Sequence, residues 1–186
     1  MGMSAPQTEW TAEMARALPD DGNRYEVLDG ELFVSPSPSW KHQAVLQRLF
    51  LLIHPYVEAH SLGWTMLSPA DIEFSQRRRL QPDLFVVPDT GSGEPKSWRD
   101  VTRLLLAVEA LSPSTTRADR LKKRPIYQSE GVPQYWIIDI DSRLVERWQP
   151  GDERPEVIAD VLEWRPKPEI ASLLINLEEV FGPQAE

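Results

Sequence analysis

The sequence predicts an α/β fold, on three observations. Residues 40–59 repeat apolar side chains at helical spacing, among them Val45, Leu49, Ile53 and Val57. Residues 82–88, 103–110 and 134–140 are short aliphatic runs, the pattern of strands buried on both faces. Between the last two lies a second helical stretch, 116–130, with Leu121, Ile126 and Tyr127 on its packing side and Gly131 as its stop. With a strand segment near 65–73, broken at Ser68-Pro69, the order is helix, three strands, helix, strand.

The elements follow in chain order. Residues 1–7 are expected to be disordered. Thr8 is the expected cap of a short helix with Trp10, Met14 and Leu18 on one face, ended by the turn residues 19–23. Two β-prone runs flank Asp29-Gly30, a strong hairpin signal. Glu26 and Glu31 are solvent-facing strand positions in the plain reading, with one of them a candidate for the rim of a site. Ser39 is the expected cap of helix 40–59, Pro55 is expected to kink it, and Gly63 to stop it. His42 falls in the first turn, where a capping or surface role is the simpler reading. Residues 76–79 (Gln-Arg-Arg-Arg) suggest a solvated turn. A loop is expected over 89–100. Residues 143–148 alternate as a hairpin partner of 134–140; a strand at 157–159, the run 173–175 and a last helical turn at 176–181 complete the chain, with 182–186 expected to be disordered. All of this is expected to form one domain over 1–186.

Composition narrows the function. The chain has 186 residues, 20 Lys and Arg against 29 Asp and Glu, a net charge of −9 and no cysteine. Disulfides and thiolate metal sites are excluded. So acidic a chain is not a nucleic-acid coat protein, although acidic metal ligands and a local basic patch suit a nuclease. No apolar run approaches the roughly 20 residues that span a bilayer, and no signal peptide is evident. A soluble cytoplasmic protein is expected.

The chemistry centres on residues 81–139. Asp83 and Glu109 each stand in an otherwise aliphatic strand, where an unpaired carboxylate is costly. If the two strands are neighbours, both carboxylates project from one sheet edge. Two carboxylates plus substrate phosphate suffice for Mg²⁺, which keeps several waters, and Mn²⁺ can replace it. Mg²⁺ meets what phosphodiester hydrolysis needs: activated water, an electrophile at phosphorus and relief of charge on the leaving oxygen. The basic segment 117–123 offers Lys122 or Lys123 to orient water or offset charge.

The ordered set Tyr25-Glu26, Asp29-Gly30-Glu31, Ser35-Pro36, His42, Pro82-Asp83, Glu109, Leu111-Ser112-Pro113-Ser114, Asp119-Arg120, Lys123, Tyr127 and Gly131-Val132-Pro133-Gln134-Tyr135-Trp136 resembles the Uma-type endonuclease family. That family lies in the PD-(D/E)XK restriction-endonuclease-like superfamily. The resemblance spans roughly residues 8–181. It implies a restriction-endonuclease-like core, a central mixed β-sheet flanked by helices (αβββαβ), preceded here by an N-terminal helix and β-hairpin. It implies a Mg²⁺-dependent DNA endonuclease with Asp83 and Glu109 as metal ligands. The superfamily lysine would stand two residues past the second acid, where this chain has Leu111. In the Uma-type pattern it stands four residues after an aspartate on the next helix; Asp119 leads to Lys123, which completes the catalytic set. Glu31, His42 and Tyr127 are secondary candidates, and Arg120 and Lys122 are candidates for phosphate contacts. DNA is the expected partner, no membrane is expected, and a homodimer is compatible. Pro125 departs from the pattern: either the helix starts late or Lys123 is displaced.

Two other classes compete. A catalytically weak nuclease-like fold could serve as a nucleic-acid-binding or regulatory protein; metal-dependent DNA cleavage discriminates it. A doubly wound nucleotide-binding enzyme is disfavoured, because neither standard Gly-rich phosphate loop occurs.

Overall fold

The computed structural model describes residues 9–183. The expectations for residues 1–7, for Thr8 as a cap and for 184–186 lie outside that range. Helix α1 (Ala12–Arg16) is capped instead by Thr11, whose Oγ1 accepts from Met14 N at 3.2 Å. Its buried face is Ala12 and Ala15, with Met14 turned outward.

β1 (Arg24–Leu28) and β2 (Glu31–Ser35) form the expected hairpin, with Leu28 opposite Glu31. Asp29 and Gly30 have φ of 51° and 85°, which a two-residue turn of the primed type requires at both positions. Helix α2 (Trp40–Ala59) starts at Ser39, whose Oγ accepts from His42 N. Pro55 lies near its end and the helix runs on to Ala59.

The chain then departs from the expected strand near 65–73. β3 (Gly63–Leu67) and β4 (Ile72–Ser75) belong to different sheets. Gly63 is not a helix stop but the first residue of β3. Its φ is +135°, and a Cβ there would fall 1.9 Å from the Val87 carbonyl oxygen of the neighbouring strand. Only glycine permits so close an approach. The basic segment 76–79 is a turn only in part, because β5 (Arg78–Leu80) pairs with both β4 and β1. Arg79 is buried, donating to the Tyr25 carbonyl and Asp71. The small sheet has the order β2-β1-β5-β4.

The central sheet adds β6 (Leu84–Pro88), β7 (Leu106–Ala110), β8 (Tyr135–Asp139), β9 (Leu144–Trp148) and β10 (Glu156–Ile158) to β3, in the order β10-β9-β8-β7-β6-β3. Among the described strands only β7 and β8 pair in parallel, so the sheet is mixed. Between these two the chain runs through α3 (Thr116–Ala118), a π-helical turn (Asp119–Lys123) and α4 (Arg124–Ser129). The expected αβββαβ order is thus present as α2, β3, β6, β7, the α3–α4 stretch and β8. β11 (Val161–Trp164) and β12 (Leu173–Asn176) form a two-stranded ribbon leading to α5 (Leu177–Phe181). β11 was not among the expected elements; its four residues are too short for alternation to register. Gly182, assigned to a disordered end, is held by Arg143, whose Nη2 donates to its carbonyl.

Strand alternation divides the core. Leu84, Val86, Leu106, Val108, Trp136 and Ile138 pack against α2. Phe85, Val87, Ala107, Tyr135 and Ile137 face the other way, towards Leu28, Ile72, Leu80, Ile126 and Tyr127 from the small sheet and α4. Among the described residues no helix is long and apolar enough to cross a membrane.

Candidate active site

The sheet register brings the two carboxylates together. Leu84 pairs with Val108 and Phe85 with Ala107. Asp83 immediately precedes β6; its N–H donates to the Val108 carbonyl at 3.0 Å and its carboxylate accepts from Ala110 N, which sets it beside Glu109. Both share the parity of Phe85 and Ala107, so both look towards the small sheet and α4. Like charges opposed across strands repel, and the surrounding side chains answer that repulsion.

Asp83 is fixed on both oxygens. Oδ2 accepts from Ala110 N at 2.9 Å and from His42 Nε2 at 3.0 Å; Oδ1 accepts from Arg24 Nη1 at 2.5 Å. His42 Nε2 also lies 3.0 Å from the Ala110 carbonyl oxygen. Both neighbours are acceptors, so Nε2 carries the proton. Burial alone would raise the Asp83 pKa; the bonds and charges of His42 and Arg24 overcome it and hold the carboxyl at about 2.

Glu109 Oε1 accepts from Lys123 Nζ at 3.1 Å and from Tyr127 Oη at 3.0 Å. Among the described residues no donor reaches Oε2. Burial, with Asp119, Asp83 and Glu26 nearby, pushes the Glu109 carboxyl upward against the pull of Lys123. Burial pushes the Tyr127 hydroxyl up as well, reinforced by Glu109.

Lys123, 2% exposed, is where the helix delivers it to the acids. Its Nζ lies 2.9 Å from Glu26, 3.1 Å from Glu109 and 3.3 Å from Asp119. Burial would lower its pKa, but these carboxylates raise it well above the ordinary lysine value. Pro125 does not displace it. Proline lacks the N–H that would continue the α ladder, and the helix answers with the π turn, in which Arg124 N bonds Asp119 O. The Arg120 carbonyl is taken by Arg124 Nε at 3.1 Å. A π turn rotates less per residue than an α turn, so it offsets the drift of four-residue steps along an α-helix. Asp119, Lys123 and Tyr127 therefore all reach the site.

Other expected residues stand elsewhere. Glu31 is on the surface, paired with Lys122. Its hairpin partner strand supplies the buried acid instead: Glu26 bonds Lys123 and accepts from Gln81 N at 2.8 Å. Arg120 is not free for phosphate, being paired with Asp139 and Glu146. Lys122 is half-exposed. Arg24 and Asp119 were not singled out as site residues. Arg24, Glu26 and Leu28 alternate along β1, and a core-facing Leu28 was the available signal that the other two also turn inward.

A cavity of about 210 Å³ opens onto the cluster, lined by Arg24, His42, Asp83, Glu109, Lys123 and the segments 35–39 and 112–115. A larger cleft of about 930 Å³ lies beside α5. There Arg48 and Arg143 donate to the carbonyls of Val180, Phe181 and Gly182, which is a helix-end cap. The chemistry therefore belongs to the smaller cavity.

The donor set fits a hard cation. Four buried carboxylates (Glu26, Asp83, Glu109, Asp119) face two permanent cations (Arg24, Lys123). The carboxylates thus outnumber the cations among them. Glu109 Oε2 is an open oxygen ligand. Among the described residues no group of three or more His, Cys, Asp and Glu side chains could hold a metal ion; an ion held by Asp83 and Glu109 alone would need water for the rest of its shell, which Mg²⁺ keeps.

The Uma2 family, described as "Putative restriction endonuclease", matches residues 12–177. A solved structure described as a "putative nuclease belonging to DUF820" from Anabaena variabilis is similar with a TM-score of 0.73, at 20% identity, over 92% of this chain and 97% of that one. At that identity the likeness concerns the fold. No curated protein matches.

Proposed function

The chain belongs to the Uma2 family of restriction-endonuclease-like nucleases, and on that premise we propose that it is a Mg²⁺-dependent DNA endonuclease of the PD-(D/E)XK type. The observation that carries this is that Asp83, just before β6, and Glu109 of β7 lie side by side in the lining of one cavity, where buried carboxylates outnumber the cations beside them.

Asp83 and Glu109 would hold Mg²⁺, with Mn²⁺ as a substitute. The bound ion supplies Lewis-acid activation at phosphorus and offsets charge on the leaving oxygen. The chain's own groups prepare the site. His42 and Ala110 N fix the orientation of Asp83 through Oδ2. Tyr127 and Lys123 occupy Oε1 of Glu109 and so present Oε2. The Lys123 ammonium donates to Glu109 and is ion-paired with Glu26 and Asp119. It acts by positioning Glu109 and by making a buried acid cluster affordable, and it reaches phosphate only by releasing one partner. The 112–115 segment, with three hydroxyls beside Pro113, also lines the cavity and offers donors to a phosphodiester oxygen.

Conversion of supercoiled plasmid to nicked and linear forms tests the proposal. Cleavage should require Mg²⁺ or Mn²⁺, stop with chelator, and fall at least about 100-fold in Asp83→Asn and in Glu109→Gln, the scale of losing a preorganised electrostatic group. DNA binding without cleavage by any divalent ion would favour the alternative, a nuclease-like fold kept for binding.

A further inference from the structure

Two cations stand among the buried carboxylates, and they are not alike. Lys123 is locked by three partners. Arg24 is held among the acids by one carboxylate alone, through one oxygen. Its Nη1 meets Asp83 Oδ1, and its side chain remains 18% exposed. The other oxygen of Asp83 belongs to His42 and Ala110 N. Arg24 is therefore the sole partner, among the described residues, of the Asp83 oxygen that a cation would need. It comes from β1 in the small sheet, not from β6 or β7, so its side chain can turn without disturbing the strands that carry the acids. It also lines the cavity and has space to turn into.

We propose that Arg24 occupies the divalent cation's place in the metal-free protein and exchanges places with it. Cation binding displaces the guanidinium from Asp83 Oδ1 into the cavity, where its planar fork faces the phosphodiester. An arginine suits both positions, because carboxylate and phosphate present the same paired oxygens. The exchange couples the two ligands: the cation releases the group that grips the phosphate, and without the cation that group is tied up. The inference rests on Asp83 and Glu109 holding the cation, as proposed above.

Mn²⁺ titration by calorimetry of the full chain and of Arg24→Gln tests it. Removing the competitor should tighten Mn²⁺ binding by about 10-fold, the value of one charge-assisted hydrogen bond. The same variant should bind a short DNA duplex in Ca²⁺ about 10-fold more weakly. Opposite signs are the signature, since a residue that only supports the fold would weaken both. If the full chain binds Mn²⁺ and Arg24→Gln binds it no more tightly, the exchange is wrong and the cation site stands. If neither binds Mn²⁺, the cation site falls and the exchange with it. Should Arg24→Gln fail to fold, the unaltered chain decides. The Arg24 Nε–H resonance, identified by its loss in Arg24→Lys, should move and exchange faster with water at saturating Mg²⁺. A resonance unmoved at saturation overturns the proposal.

Discussion

Replacing Lys123 by methionine, which keeps length and removes charge, exposes how the buried cluster is held. Three carboxylates, Glu26, Glu109 and Asp119, lie within 3.3 Å of its ammonium. Without it they are buried acids facing one another, and removing one partner of a buried ion pair costs about 3–5 kcal/mol. The cost is pH-dependent. In the variant, the folded-state pKa values of Glu109 and Asp119, already raised by burial, rise further above their unfolded values, because burial and mutual repulsion go unopposed. A raised carboxylate binds more protons folded than unfolded, so stability is lost as pH climbs above the ordinary carboxylate range of about 4 towards the raised values. Urea denaturation should show Lys123→Met destabilised by about 3–5 kcal/mol at pH 8, with a clearly smaller deficit at pH 5.5. Mn²⁺ at pH 8 should recover part of the deficit by replacing the lost charge. A deficit under about 1 kcal/mol at pH 8, or one that does not change with pH, would refute the electrostatic account of Lys123.

Asp83, held at about 2, contributes roughly 2 kcal/mol that is present above its unfolded pKa of about 3.9 and lost as pH falls towards 2. Acid unfolding followed by circular dichroism should show Asp83→Asn losing about that much less between pH 6 and pH 2 than the unaltered chain. Glu109 has a raised pKa, so protons compete with the cation above the ordinary glutamate range. Mn²⁺ affinity should fall as pH is lowered, with proton release detected by calorimetry in buffers of different ionisation enthalpy; pH-independent binding without release would remove Glu109 as a ligand. Tyr127→Phe removes one of two donors to Oε1 and should cost about 1.5 kcal/mol of stability while leaving Mn²⁺ affinity nearly unchanged, because Oε2 is untouched. Gly63→Ala must accommodate a Cβ 1.9 Å from a backbone oxygen at positive φ, and should lower thermal stability by at least about 3 kcal/mol.

What was legible in the sequence was what local pattern determines. Helix α2 begins after its cap Ser39 and runs to Ala59, as its first cap and its period indicate, although the expected stop Gly63 falls in β3, and Asp29-Gly30 makes the hairpin turn. Asp83 and Glu109 were visible because aliphatic strands make a lone carboxylate conspicuous. What failed depended on distant pairing. The separate sheet containing β4 and β5 rests on strands of four and three residues, too short for alternation to declare a partner. Glu26 and Glu31 are equivalent by composition; Lys123 from the π turn selects Glu26, and the surface pair with Lys122 keeps Glu31 outside. Pro125 marked an irregularity correctly. Its form is a π turn that keeps Asp119, Lys123 and Tyr127 on the site, and a proline alone does not distinguish that turn from a kink or a late start.

The central claim concerns the oxygens of Asp83 and Glu109, and a crystal soaked in Mn²⁺, with anomalous scattering recorded, tests it most directly. The account predicts one ion ligated by Asp83 Oδ1 and Glu109 Oε2, with water completing its shell and Arg24 withdrawn from Asp83. An ion bound elsewhere, or no ion at saturating Mn²⁺ with Arg24 still on Asp83, would contradict it.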